Sequence, residues 1–138
     1  MRLLSVPHSG TRFAMDVLNK AGLQEAWHKN MQAGDFIFAH FNNKHNRVVY
    51  GYNTMPTIVP LREYEEVVKS WERRGKNIKQ LESLWQEMTD YVEKYAANIY
   101  FLRIDNPSHR ENDLAMISEL LGTDLKEVDF NKKIGEGT

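Results

Sequence analysis

A short apolar run, Leu3-Leu4-Ser5-Val6, passes without a polar spacer into Pro7-His8-Ser9-Gly10-Thr11-Arg12-Phe13 and then into a segment of helical period. No other stretch constrains the fold as much. A strand that stops at small residues and restarts as a helix leaves the first N–H groups of that helix unpaired. They converge, with the positive end of the helix dipole, on one point. This is an anion cradle made mostly of backbone. A second element answers it: Thr57 to Leu61 reads as a short apolar strand ending at Arg62, and Ser70 follows Arg62 by eight residues across the first turns of another helix. Together the two elements can grip both ends of one ligand.

The remaining pattern alternates between the two periods. Arg2 to Val6 is β-prone; Thr11 to Ala21 is helical, with Phe13, Val17 and Leu18 on one face and Gly22 as its stop. Phe36 to Phe41 is a strand. Arg47 to Tyr52 either pairs with it as a hairpin or forms an irregular excursion. Glu63 to Arg74 is helical until Gly75, and Ile78 to Ala97 is the longest periodic segment, with Leu81, Leu84, Trp85, Met88, Val92 and Tyr95 in one stripe. Ile99 to Ile104 is a strand, Asp113 to Leu121 a helix ended by Gly122, and the tail is polar. Strands separated by helices predict a three-layer α/β fold, a mostly parallel sheet flanked by helices, with ligand loops at the strand C-terminal ends.

Composition sets the class. The chain has 138 residues, 41% of them hydrophobic, a formal net charge of −1 and no cysteine. That predicts one domain over 1–138 with a genuine core, and no broad nucleic-acid or membrane-binding surface. Disulfides and cysteine chemistry are excluded. No apolar run approaches a membrane span and the N-terminus enters a strand directly, so a soluble, cytoplasmic protein is expected.

Pro7 to Phe13 resembles the 5′-phosphosulfate loop of sulfotransferases that use 3′-phosphoadenosine 5′-phosphosulfate (PAPS), commonly Pro-Lys/Arg-Ser-Gly-Thr-Thr-Trp. Arg62 and Ser70 resemble the arginine and serine of that family's 3′-phosphate element. Phe36-Ile37-Phe38-Ala39-His40 is similar to the strand ending in Lys-Thr-His, and Leu102-Arg103-Ile104-Asp105 more faintly to Leu-Arg-Tyr-Glu-Asp. Phe130-Asn131-Lys132-Lys133 echoes the Phe-x-Arg-Lys-Gly loop. The order and spacing of the pieces are more specific than any one of them. The resemblance implies a P-loop NTPase-like sulfotransferase fold and sulfuryl transfer from PAPS, with PAP as product and no metal. The acceptor is a hydroxyl or amine on a small molecule, glycan or peptide, and homo-oligomerisation stays open.

On that resemblance Ser9, Gly10, Thr11 and Arg12 cradle the 5′-phosphate, and Phe13, in the place of the family's tryptophan, stacks on adenine. Arg62, Ser70, Lys132 and Lys133 hold the 3′-phosphate. His40 is the candidate base, and His28 the alternative by analogy with the Golgi-type branch, where a glutamate base follows the first helix and this chain offers Glu25 and His28. His8 replaces the loop lysine and supplies its charge only when protonated. Phe38, Ile104 and Ile134 replace a lysine, a tyrosine and a glycine. Arg12 is the compensating cation. These departures support a second reading, a PAP- or PAPS-binding protein of the same fold with weak or no turnover. A P-loop kinase is disfavoured because Gly-Lys-Ser/Thr is absent. Taken singly, the residues read more plainly: Ser9-Gly10-Thr11 as a turn and helix cap, Arg62 as an ion pair with Glu65 or Glu66, Trp71 and Trp85 as core, and Lys132 and Lys133 as a solvated tail.

Overall fold

The structure, a computed structural model, describes residues 1–26, 35–41 and 55–125. The proposed strand Arg47 to Tyr52 and the C-terminal tail lie outside the described residues. Five strands, β1 (Arg2–Ser5), β2 (Gln24–Ala26), β3 (Asp35–His40), β4 (Thr57–Leu61) and β5 (Ile99–Arg103), form one sheet in the order β2-β3-β1-β4-β5. Every pairing is parallel. Among the described residues four α-helices accompany them: α1 (Thr11–Lys20), α2 (Tyr64–Arg73), α3 (Ile78–Lys94) and α4 (Pro107–Leu121).

The alternation in β1 assigns the faces. Leu3 packs with Phe13, Val17 and Leu18 of α1 and Ile117 of α4, whereas Leu4 packs with Val67 and Trp71 of α2 and Leu81, Leu84 and Met88 of α3. Helices therefore cover both faces of the sheet, as the strand–helix alternation predicts. Connections leaving β1 run toward β2, while those leaving β4 run toward β5. Right-handed crossovers in opposite directions must use opposite faces, which accounts for α1 on one side and α2 with α3 on the other. The carboxyl ends of β1 and β4 consequently flank the point where the winding reverses, the usual crevice of open α/β sheets.

Two elements differ from the sequence expectation. β2 is a three-residue edge strand whose Gln24 and Glu25 are exposed, so it carries no apolar alternation to read. The last helix begins at Pro107 rather than near Asp113. Asn106 caps it, its side chain accepting from Ser108 N (2.9 Å) and His109 N (3.2 Å), with Pro107 in the first turn. Proline costs nothing there because that N–H has no helical acceptor. α4 is tied to β5 by Asp113, which is 4% exposed and accepts from Arg103 N, Nε and Nη2 at 2.8–2.9 Å. No described helix is long and apolar enough to cross a membrane.

Candidate functional site: a loop between two cavities

The loop Val6 to Gly10 leaves the central strand and starts α1. Its shape is set by its own bonds. Val6 O accepts from both the Ser9 backbone N–H (3.1 Å) and the Ser9 hydroxyl, and Gly10 O accepts from Ala14 N (3.0 Å). Pro7 O accepts from the Trp71 indole Nε1–H at 2.8 Å, so α2 holds the loop from the side. His8 has φ 67° and Gly10 φ 101°, both left-handed. Gly10 is constrained on a second count. A Cβ there would overlap the Ile104 side chain just beyond β5. The loop is thus clamped between α2 and the end of β5.

Gly10 is also the N-cap of α1, and no side chain caps this helix. The N–H groups of Gly10, Thr11 and Arg12 have no acceptor among the described residues. The two loop hydroxyls do not add to them in this conformation: Ser9 is fully buried on Val6 O, and Thr11 Oγ1 lies 2.9 Å from Ser5 Oγ. Arg12 is exposed, the second residue of the helix. Phe13 corrects an expectation. It is 1% exposed in the core beneath α1, so its ring has no face on which a base could stack. The apolar period of α1 carried that information, since Phe13 shares a face with Val17.

Arg62 follows β4 and lines a cavity of about 270 Å³ with Tyr64, Trp85, Asp105 and His109. Ile104, the residue against which Gly10 packs, belongs to the same wall. The partner of Arg62 is Asp105, not Glu65 or Glu66: Nε donates to Oδ1 at 3.2 Å, and the other oxygen accepts from Glu63 N at 2.7 Å. The Arg62 Nη groups make no hydrogen bond to any described residue, and they are the part of the fork a phosphate could take. Ser70 sits on the sheet side of α2 next to Trp71, 1% exposed, and its hydroxyl has no hydrogen-bond partner among the described residues. No bond joins it to Arg62. Sequence spacing alone could not settle whether an arginine before a helix reaches a serine within it.

His40 ends β3 in register with Ser5, the last residue before the loop. It lines a second cavity, about 250 Å³, with Pro7, Trp71, Lys76, Asn77 and Leu84. Burial first, and then the positive charge of Lys76, hold the His40 imidazole below the ordinary histidine value. It is therefore neutral at neutral pH, with a nitrogen able to accept a proton. Phe38 meets it edge-on at 5.1 Å. Lys76 is a cation that the sequence pattern concealed in a polar turn after α2. Its Nζ stands 5.4 Å from the centre of the Trp71 ring, on the wall the loop shares. His28, Lys132 and Lys133 lie outside the described residues.

Loop, Arg62 and His40 thus gather at one edge of the sheet. Pro7 touches one cavity and Gly10 abuts the wall of the other. Among the described residues no three His, Cys, Asp or Glu side chains converge as a metal would require. No family model, curated protein or solved structure matches this chain.

Proposed function

We propose that the chain is a small sulfotransferase with a P-loop NTPase-like sulfotransferase fold, acting in the cytoplasm on an acceptor hydroxyl or amine with PAPS as donor. One observation carries the reading: the start of α1, with no side-chain cap, lies at the winding reversal between Arg62, just after β4, and His40 at the end of β3. A donor with phosphates at both ends would put its 5′-phosphate on the N–H groups of Gly10, Thr11 and Arg12, and its 3′-phosphate on the Arg62 Nη groups. The acceptor would occupy the cavity at His40. In transfer, the acceptor oxygen or nitrogen bonds to sulfur as the bond from sulfur to the phosphate oxygen breaks. His40 takes the acceptor proton, and PAP leaves with the negative charge. Positioning and charge stabilisation supply most of the catalysis in such a reaction, as they do in phosphoryl transfer.

A binding protein of the same fold without turnover is the second reading. It is favoured by His8 in place of the loop lysine, and by the engagement of the Ser9 and Thr11 hydroxyls inside the protein. Both readings require the 3′-phosphate contact. Calorimetry should give tighter binding of PAP than of ATP or adenosine 5′-phosphosulfate, and Arg62→Gln should weaken PAP by about ten- to a hundredfold, the range of a charge-assisted pair. Equal affinity for adenosine 5′-phosphosulfate, or no loss in Arg62→Gln, overturns the nucleotide assignment. Transfer to any acceptor then separates enzyme from binding protein.

A further inference from the structure

The cavity at the end of β3 has a one-sided chemistry. Its polar lining consists of Lys76, His40 and the amides of Asn77 and Gln80, and none of its described lining residues is a carboxylate. Asn77 Oδ1 is already engaged as the cap of α3, accepting from Lys79 N at 2.9 Å, so the group Asn77 can still offer is its NH₂ donor. His40 is held neutral, and Lys76 is the cation among the described lining residues. The floor is apolar, formed by Leu84 and Trp71. Lys76 is anchored at two points: its backbone N–H donates to Trp71 O at 3.0 Å, and its Nζ lies over the Trp71 ring. A cation held in this way meets a ligand anion with less ordering to pay for than a free surface lysine.

We propose that this cavity takes a small organic anion, an acceptor that carries a carboxylate for Lys76 and a hydroxyl for His40. The inference rests on the sulfotransferase reading for the word acceptor, but not for the preference for negative charge. The size agrees: about 250 Å³ leaves room for a single substituted ring. The apolar floor receives the ring, while Lys76 and the amide donors of Asn77 and Gln80 select its acidic end.

The test uses two probes of nearly equal shape, 4-hydroxybenzoate and 4-hydroxybenzamide. Calorimetry on the full chain, with and without saturating PAP, should give about tenfold tighter binding of the benzoate, the scale of one charge-assisted contact. Lys76→Arg should keep that preference. Lys76→Gln, with an unchanged urea midpoint, should reduce it to about twofold or less. Absence of binding, equal affinity for the two probes, or a preference that survives in Lys76→Gln overturns the proposal. Failure of PAP to bind while the preference persists overturns the sulfotransferase reading and leaves the anion site standing. PAP binding without any charge preference does the reverse.

Discussion

His40 is subject to two influences of the same sign, since burial and the charge of Lys76 both disfavour imidazolium. A base must be neutral to accept a proton, so lowering its pKa extends the active range toward acid. Activity should fall as pH drops through a value below the free-histidine range of about 6.5. Lys76→Gln removes one of the two influences and should move that acidic limb upward. A limb that stays put in Lys76→Gln would show that the charge does not reach His40. His40→Ala should cost about a hundredfold or more in transfer and leave PAP affinity nearly unchanged, as measured by kcat against calorimetric Kd. The same shift bears on stability. Because the folded pKa is depressed, the unfolded chain binds the proton first, so stability is held above about 6.5 and declines as pH falls through the folded value. Urea midpoints at pH 7.5 and 5.5 should differ more in the native chain than in His40→Ala. The resemblance pointed to His40 because it ends a strand. Nothing pointed to Lys76, since Gly75-Lys76-Asn77 has the pattern of an ordinary solvated turn, and only the fold brings it to the loop.

At the scale of elements, the strand-to-helix turn is held by contacts on opposite sides, and these can be removed one at a time. Gly10→Ala meets two penalties, a left-handed φ of 101° and overlap with Ile104; Gly22→Ala meets only the first, with φ 90° and nothing within 4 Å of the added carbon. Gly22→Ala should cost about 1–2 kcal/mol in urea unfolding, the usual toll of a side chain in that region. Gly10→Ala should cost more than Gly22→Ala and should weaken PAP, and Gly10→Ala with Ile104→Ala should recover part of the PAP affinity. No recovery would mean that backbone conformation alone sets the loop. The strand-to-helix junction was legible in the sequence because small residues interrupt an apolar run. The clamp on it was not: Trp71 reads as core from its helical period, and its donation to Pro7 O joins residues 64 positions apart. Likewise β2 gave no signal because an exposed three-residue edge has no inward face, and the expected start of α4 near Asp113 misses the cap and first-turn chemistry of Asn106-Pro107.

Over the whole molecule, the sheet separates stability at its amino edge from ligand chemistry at its carboxyl edge. At the amino edge Arg2 is fully buried; its Nε donates to Thr57 Oγ1 at 2.8 Å, and its guanidinium lies 5.6 Å from the centre of the Tyr91 ring. The length of β1 places this cluster about 13 Å from the loop, at roughly 3.3 Å per residue, and the two share no hydrogen bond. Sites so separated should act independently. PAP at a hundred times its Kd should stabilise the native chain by about 2.7 kcal/mol, equivalent to roughly 10 °C in Tm for a domain of this length. Arg2→Ala opens a cavity and orphans the Thr57 pairing, so its Tm should fall by several degrees while the PAP-induced shift persists in full. Arg62→Gln should do the opposite, with a small change in Tm without ligand and about half or more of the shift lost. Thermal unfolding of both variants with and without PAP decides the matter. A shift that shrinks equally in Arg2→Ala and Arg62→Gln would mean that the two edges are coupled through β1, and that Arg62 acts through the fold rather than by holding a phosphate.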